Sequence, residues 1–272
     1  MRYCRFETEM GPKYGLLVDR AGALWIDRLM PAPIEDLEAQ LAEARGQGGP
    51  EVAFEPLPMG EVELLAPVTP SKIVCVGRNY REHAAELGNE APREPLLFLK
   101  PPSALLAPGG EIRLPWQSHR IDFEGELAMV TGRRCSRLGA DDDVRPYIRG
   151  YTIVNDVTAR DLQKTDGQWS RAKGFDTFCP AGPLVTDEID PAAGIRVETR
   201  LNGIVRQEGD TPDLIFGMAE LLRYISAAMT LLPGDLIATG TPAGVGAMAA
   251  GDEVEVTVQG IGTLSNRVAS NQ

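Results

Sequence analysis

The run Asp122-Phe123-Glu124-Gly125-Glu126-Leu127-Ala128 carries acids at three alternate positions. Side chains of an extended chain alternate between faces, so Glu124 and Glu126 share one face while Phe123 and Leu127 point into the other layer. Two carboxylates about 7 Å apart on one face repel unless a cation or water lies between them. Gly125 leaves room for a second backbone to approach closely. Alone, the motif reads more simply as a polar strand face turned to water. A further acid changes that reading. Asp156 ends the apolar run Tyr151–Val154, and a helical turn starting beside it places Arg160 and Gln163 three apart, a compact set for recognising an anion. Three carboxylates with no nearby cysteine or histidine specify a hard divalent cation, Mg2+ or Mn2+, rather than Zn2+. Three protein oxygens leave about three octahedral positions for water and substrate.

Three further segments offer chemistry. Lys173 opens the Gly- and Pro-rich stretch Lys173–Pro183, read as non-regular chain, where it presents an ammonium to a pocket or simply faces water. His83 and Glu86 are three apart on a short helix, so the carboxylate can orient the imidazole and raise its basicity. The same pattern also fits a surface helix with an incidental histidine. Gly88 and the polar stretch to Pro95 suit a lid. The turn Thr239-Gly240-Thr241-Pro242-Ala243-Gly244-Val245-Gly246 lacks the Gly-Lys-Ser/Thr ending of a P-loop. Its amides and Thr241 can hold a substrate carboxylate, or it is a plain structural turn.

The chain that must position these groups has 272 residues, 43% of them hydrophobic, enough to bury a sizeable core. A formal net charge of −12 repels phosphate backbones and anionic lipid, which argues against nucleic-acid or membrane partners. No apolar run approaches the roughly 20 residues of a spanning helix, and the start reads as lacking a secretory signal. Four widely spaced cysteines read as reduced thiols of a cytoplasmic protein. Only two histidines, His83 and His119, argue against a histidine-rich zinc site. His119, just before the acidic strand, reads as a loop residue.

Alternation predicts strands over 2–9, 14–19, 23–28, 73–76, 96–99, 123–130, 151–157, 195–201, 235–239 and 253–258. A helix is expected after Pro33, with Ile34, Leu37, Leu41 and Ala44 as its apolar stripe, ending at Gly46–Pro50. A second is expected from Asp213 to Met229, with Thr211 as N-cap, Pro212 in its first turn, and Leu214, Met218, Leu221, Leu222 and Ile225 as a core stripe. The acidic triplet Asp141–Asp143 reads as a solvated loop. Two prolines flanking a polar turn at 67–71 mark a boundary between a small N-terminal domain, 1–68, and a larger one, 69–272. The class is α+β, strand-rich, a roll with long structured loops.

Taken in order, Val76-Gly77-Arg78-Asn79-Tyr80, the Asp122–Ala128 and Asn155–Gln163 segments, Lys173-Gly174-Phe175-Asp176-Thr177-Phe178 and Thr239–Pro242 resemble the fumarylacetoacetate hydrolase family. The resemblance runs from about residue 70 almost to the end. It implies a mixed β-roll with a small N-terminal α+β domain, and a homodimer. It implies metal ligands Glu124, Glu126 and Asp156, a catalytic His83/Glu86 pair on a closing lid joined by Lys173, and substrate contacts from Arg78, Tyr80, Arg160, Gln163 and Thr241. The long animal fumarylacetoacetases carry a further acidic ligand where this chain has Val76, so the chain looks more like the small bacterial and acylpyruvase branches. The expected activity is Mg2+- or Mn2+-dependent hydrolysis of an acylpyruvate through a pyruvate enolate. Oxaloacetate decarboxylation, and isomerisation or hydration of a hydroxymuconate-type diacid, need the same enolate. A non-catalytic protein merely stabilised by its metal is the remaining reading.

Overall fold

The computed structural model describes residues 1–45, 54–86, 88 and 90–270. Its architecture is strand-rich, as expected. The main sheet runs in spatial order Leu57–Pro58, Ala23–Met30, Lys13–Arg20, Arg2–Phe6, Cys179–Thr186, Ile148–Asn155, Gly125–Thr131, Leu236–Ala238, Ile73–Gly77 and Leu96–Lys100. Neighbours along this path are antiparallel except Leu236–Ala238 against Ile73–Gly77. The N-terminal strands extend the sheet directly, Arg2–Phe6 pairing with Cys179–Thr186. A five-stranded sheet, in the order Ile204–Asp210, Arg196–Leu201, Glu253–Val258, Gly262–Ser270 and Glu111–Leu114, packs on it. Leu127 and Ile153 from one sheet meet Val197, Val256 and Val258 from the other in one buried cluster. Each such side chain contributes about 1.5–3 kcal/mol of burial.

The differences from the sequence reading lie where they matter for the site. The expected strand over 123–130 is broken at Glu124. Ile121–Phe123 joins a small sheet with Thr158–Ala159 and Gly246–Met248, while Gly125–Thr131 continues in the main sheet. The Asn155 side chain holds the break, its Oδ1 accepting from the Glu124 N–H at 2.9 Å. The stretch read as non-regular after Lys173 is regular on both sides: Lys173 lies in the helix Ser170–Gly174, and Cys179–Thr186 is a central strand. Pairing on both edges overrides the strand-weakening of its prolines. The strands Ile204–Asp210 and Gly262–Ser270 also went unread.

The helix expected over 213–229 begins only at Met218 and runs to Ala228. Residues 211–213 form a single 3-10 turn, and residues 214–216 are pulled away: Ile215 N–H donates to Asn79 O at 2.7 Å, and Phe216 N–H to Asn79 Oδ1 at 2.8 Å. Leu221, Leu222 and Ile225 are buried as expected. The N-terminal helix, Leu37–Ala44, is turned the opposite way to its apolar stripe, leaving Ile34, Leu37 and Leu41 exposed. Its cap Asp36 is buried and gripped by Arg5 Nε at 2.7 Å and Tyr14 Oη at 2.9 Å, while Glu43 accepts from Ala32 N–H at 2.8 Å. Polar anchors set its rotation, with Ala39 inward. Its expected end at 46–50 lies outside the described residues.

Gly125 is a point of close sheet-to-sheet approach, since a Cβ there would stand 2.1 Å from Thr199 Oγ1 and 2.8 Å from Val256. Gly125→Ala is therefore expected to lower the urea unfolding free energy by about 1–3 kcal/mol, the usual cost of overpacking. An unchanged midpoint would contradict this packing.

Candidate metal and catalytic site

Glu124 sits at the strand break, Glu126 one alternation later, and Asp156 just past the neighbouring strand, where its N–H donates to Glu124 O at 2.8 Å. All three are buried, and one carboxylate oxygen from each lies within 4.8 Å of the others. Ligand oxygens of an Mg2+ octahedron stand about 3–4 Å apart, so a small contraction would close them on an ion. The donors are hard oxygens, which fits Mg2+ or Mn2+.

The carboxylates belong to a chain of alternating buried charge. Lys100 Nζ lies 2.6 Å from Asp156 Oδ1; Lys173 Nζ lies 2.6 Å from Asp156 Oδ2 and 2.8 Å from Glu124 Oε2. Arg160 continues it, donating to Glu124 Oε1 and, at 2.9 Å, to Asp122 Oδ2. Glu126 has no cationic partner among the described residues; the Gly240 N–H donates to its Oε2 at 2.7 Å. Burial pushes the Glu124 carboxyl up, but Lys173 and Arg160 outweigh it and hold it below the ordinary carboxylate range. Burial, then repulsion from Asp156 and Glu124, raises Glu126 well above that range. A raised Glu126 beside two paired carboxylates is the charge pattern that a bound divalent cation would relieve.

Across the cavity stands the helix Arg81–Glu86. His83 is 4% exposed, and its Nδ1 is 3.4 Å from Glu86 Oε2. Burial lowers its pKa below the usual imidazole range and outweighs the pull of Glu124 and Glu86, which keeps the ring neutral. Glu86 also accepts from the Gly244 N–H at 3.1 Å, which ties this helix to the glycine-rich turn. With the helix seated, the cavity of about 50 Å³ has room for a few waters.

Glu124, Glu126, Asp156, His83, Lys173, Arg78, Arg160, Gln163 and Thr241 all line this one cavity. Several are already engaged. Arg160 donates to Gln163 Oε1 at 2.7 Å, and Thr241 Oγ1 donates to Gly125 O at 2.9 Å. Lys173 Nζ also lies 4.9 Å from the Phe98 ring centre. Tyr80 is not among the lining residues; its ring packs by Gly209 at a separate hollow formed with Pro212 and Pro242. Sequence reasoning missed Lys100, Asp122, Asn155 and Gln207. Lys100 ends an apolar strand, where a lysine normally faces water, and only its alternation with Phe98 pointed inward. Gln207 is buried, accepting from Gly125 N–H at 3.0 Å and donating to Thr241 Oγ1 at 2.7 Å, so it pins the strand break to the turn. It lies on a strand that was not expected at all.

Two outcomes follow from the charge chain. Lys100→Met leaves Asp156 one counter-charge short and is expected to cost about 3–5 kcal/mol in urea unfolding of metal-free protein. Saturating Mn2+ at about 100 times its Kd is expected to stabilise the wild type by about 2.7 kcal/mol and to do little for Glu126→Gln. Equal melting shifts in both proteins would rule out the triad as the ion's seat.

Among the described residues no helix is long and apolar enough to cross a membrane. Residues 72–269 match the family model described as fumarylacetoacetate (FAA) hydrolase C-terminal, and residues 1–67 match one described as Rv2993c-like, N-terminal. The oxaloacetate tautomerase YisK of Bacillus subtilis is 42% identical, over 84% of this chain and 80% of its own. The crystal structure of 2-hydroxyhepta-2,4-diene-1,7-dioate isomerase from Mycobacterium marinum aligns over 100% of this chain and 99% of its own, with TM-score 0.84 and 42% identity. Fumarylpyruvate hydrolase from Pseudomonas aeruginosa, solved with Mn2+ and pyruvate, aligns over 77% of this chain and 92% of its own, with TM-score 0.70 and 34% identity. The carboxylate cluster and its cationic frame are thus carried on a fold shared with these enzymes over most of the chain, and the protein belongs to the fumarylacetoacetate hydrolase family.

Proposed function

We propose that this chain is an Mg2+- or Mn2+-dependent enzyme that enolises a small 2-oxo acid, interconverting its keto and enol forms. The observation that carries the reading is the convergence of three buried carboxylates opposite a buried, neutral His83 in one cavity. A divalent cation on Glu124, Glu126 and Asp156 would supply a Lewis acid that draws electron density from the 2-oxo group. Lys100, Lys173 and Arg160 hold the carboxylates in place by the bonds described above. His83, with Nδ1 turned to Glu86, leaves Nε2 free to take a proton from C3 and return it to the oxygen at C2. That transfer balances without a further reactant. Gln163, whose Oε1 is taken by Arg160, orients the substrate carboxylate through its Nε2, while Thr241 holds the strand break beside it, and Lys173 steadies the developing negative oxygen. The names of the tautomerase and isomerase relatives support this order of preference.

Hydrolysis of an acylpyruvate C–C bond is the second reading, favoured by the retained His83/Glu86 pair and the likeness to fumarylpyruvate hydrolase. There His83 would direct a water at the acyl carbonyl. Residues 1–68 serve as a small N-terminal domain in this proposal, a division that the two family matches support. The protein would work as a homodimer; exposed Ile34, Leu37 and Trp116 are surface that a second copy could cover. Four free, buried cysteines support a reducing, cytoplasmic setting.

With Mg2+ present, the protein is expected to speed keto–enol interconversion of oxaloacetate, followed by the ultraviolet absorbance of the enol. His83→Gln is expected to lower kcat about 10²–10⁴-fold. A base must be unprotonated, and the His83 pKa is depressed, so kcat/KM should stay level through neutrality and fall only in acid below the usual imidazole range. Acetate release from acetylpyruvate without any effect on oxaloacetate would move the assignment to hydrolysis. No response to either substrate would overturn the enzymatic reading.

A further inference from the structure

One buried side chain outside the chain of charges reaches the carboxylate triad from the other sheet. The strand Ile204–Asp210 lies at the edge of the five-stranded sheet, and its apolar residues Ile204 and Val205 are exposed. Its single buried position holds an amide instead, Gln207, which is fully out of water. Burying an amide is costly unless its polar atoms find partners, and here both do. Oε1 accepts from Gly125 N–H at 3.0 Å, while Nε2 donates to Thr241 Oγ1 at 2.7 Å and to Pro242 O at 2.8 Å. The Thr241 hydroxyl in turn donates to Gly125 O at 2.9 Å. The bonds close a ring that leaves Gly125 by its N–H and returns to it at its carbonyl.

The ring grips the residue between two members of the triad. Gly125 separates Glu124 from Glu126, and its N–H and C=O belong to the peptide units that join it to them. The strand Leu236–Ala238 pairs with Ala128, Met129 and Val130 and stops short of Gly125, so no strand on that edge holds these groups. The glycine-rich turn takes its place, pressed onto the strand of Gln207: a Cβ at Gly244 would stand 1.9 Å from Arg206 O. From the same turn Gly240 N–H donates to Glu126 Oε2 at 2.7 Å. Lys173 and Arg160 hold the Glu124 carboxylate at its tip. Gln207 and Thr241 hold the backbone from which both glutamates extend.

We propose that Gln207 is a positioning residue that fixes the spacing of Glu124 and Glu126 and thereby makes the triad selective for a small divalent cation. Mg2+ demands near-octahedral oxygens at about 2.0–2.1 Å, whereas Ca2+ takes about six to eight at about 2.3–2.6 Å in a yielding shell. A backbone clamped on both sides of Gly125 resists the spreading that the larger ion requires. The inference rests on the triad as the ion's seat and adds what sets the size of that seat.

Calorimetric titration of metal-free protein with Mg2+ and with Ca2+ tests it without turnover. The wild type is expected to bind Mg2+ at least as tightly as Ca2+. Gln207→Met keeps the length of the side chain and removes its hydrogen bonds, and it should weaken Mg2+ about tenfold relative to Ca2+. Thr241→Val opens the ring from its other side and should move the ratio the same way. Thr241→Ser keeps the hydroxyl and should hold the ratio within about twofold of the wild type. A merely structural role would lower the urea midpoints of Gln207→Met and Thr241→Val and leave the Mg2+/Ca2+ ratio where it was. That result, or a wild type that prefers Ca2+, overturns the role of Gln207 while leaving the triad as the ion's seat. A wild type that binds neither ion overturns the metal reading along with it.

Discussion

Buried charge that must be neutralised governs this structure. From Lys100 through Asp156, Lys173, Glu124 and Arg160 to Asp122, cation and anion alternate without a break, each pair within hydrogen-bond distance and each side chain out of water. Desolvating one such group alone costs several kcal/mol, so none of the six can be buried unless the others are in place. The strands that carry them are consequently drawn to one point: the end of Leu96–Lys100, the break before Gly125–Thr131, and the end of Ile148–Asn155. The short helices Arg160–Thr165 and Ser170–Gly174 are bound to the same point by their cations. Glu126 is the exception that gives the arrangement a use. It takes part in the triad with only a backbone amide for company, and an added ion would complete it.

The cationic frame also explains why the groups that resemble anion binders are not free to be so. Arg160, which in sequence looks like a substrate clamp, has its guanidinium spread over Asp122, Glu124 and Gln163. The Gly240 amide that could have met a substrate carboxylate holds Glu126. Positive charge around the carboxylate triad is thus of two kinds, that which keeps the carboxylates together and that which is left over. Arg78 is of the second kind. Its freedom depends on Asn79, which replaces a helical turn in residues 214–216 with bonds of its own.

The helix bearing His83 closes the cavity from above through Glu86, which faces the histidine and the Gly244 amide together. One carboxylate therefore touches the imidazole and the glycine-rich turn together, so in the proposed reaction closure and base alignment would be coupled in a single group. That coupling suits a reaction in which proton transfer has to be kept from bulk water.

Much of this was legible in the chain of residues. Alternation located most strands of the main sheet but only Arg196–Leu201 and Glu253–Val258 of the second, and the order of motifs from Arg78 to Pro242 pointed to the family, because acids at alternate positions and an acid at a strand end are local patterns. The apolar spacing of Leu221, Leu222 and Ile225 likewise announced a buried helix face. What the residues alone could not state was set by distance across the fold. Lys100 and Gln207 join the site from strands far off in sequence, and a buried lysine looks like any exposed one until its carboxylate partner arrives. The rotation of Leu37–Ala44 followed Asp36 and its grip on Arg5 and Tyr14 rather than its apolar stripe. The start of Met218–Ala228 was set by Asn79, 139 residues earlier. Local spacing determines which faces a segment can offer. Only the packed structure, through hydrogen bonds and ion pairs that no segment makes by itself, decides which face is used.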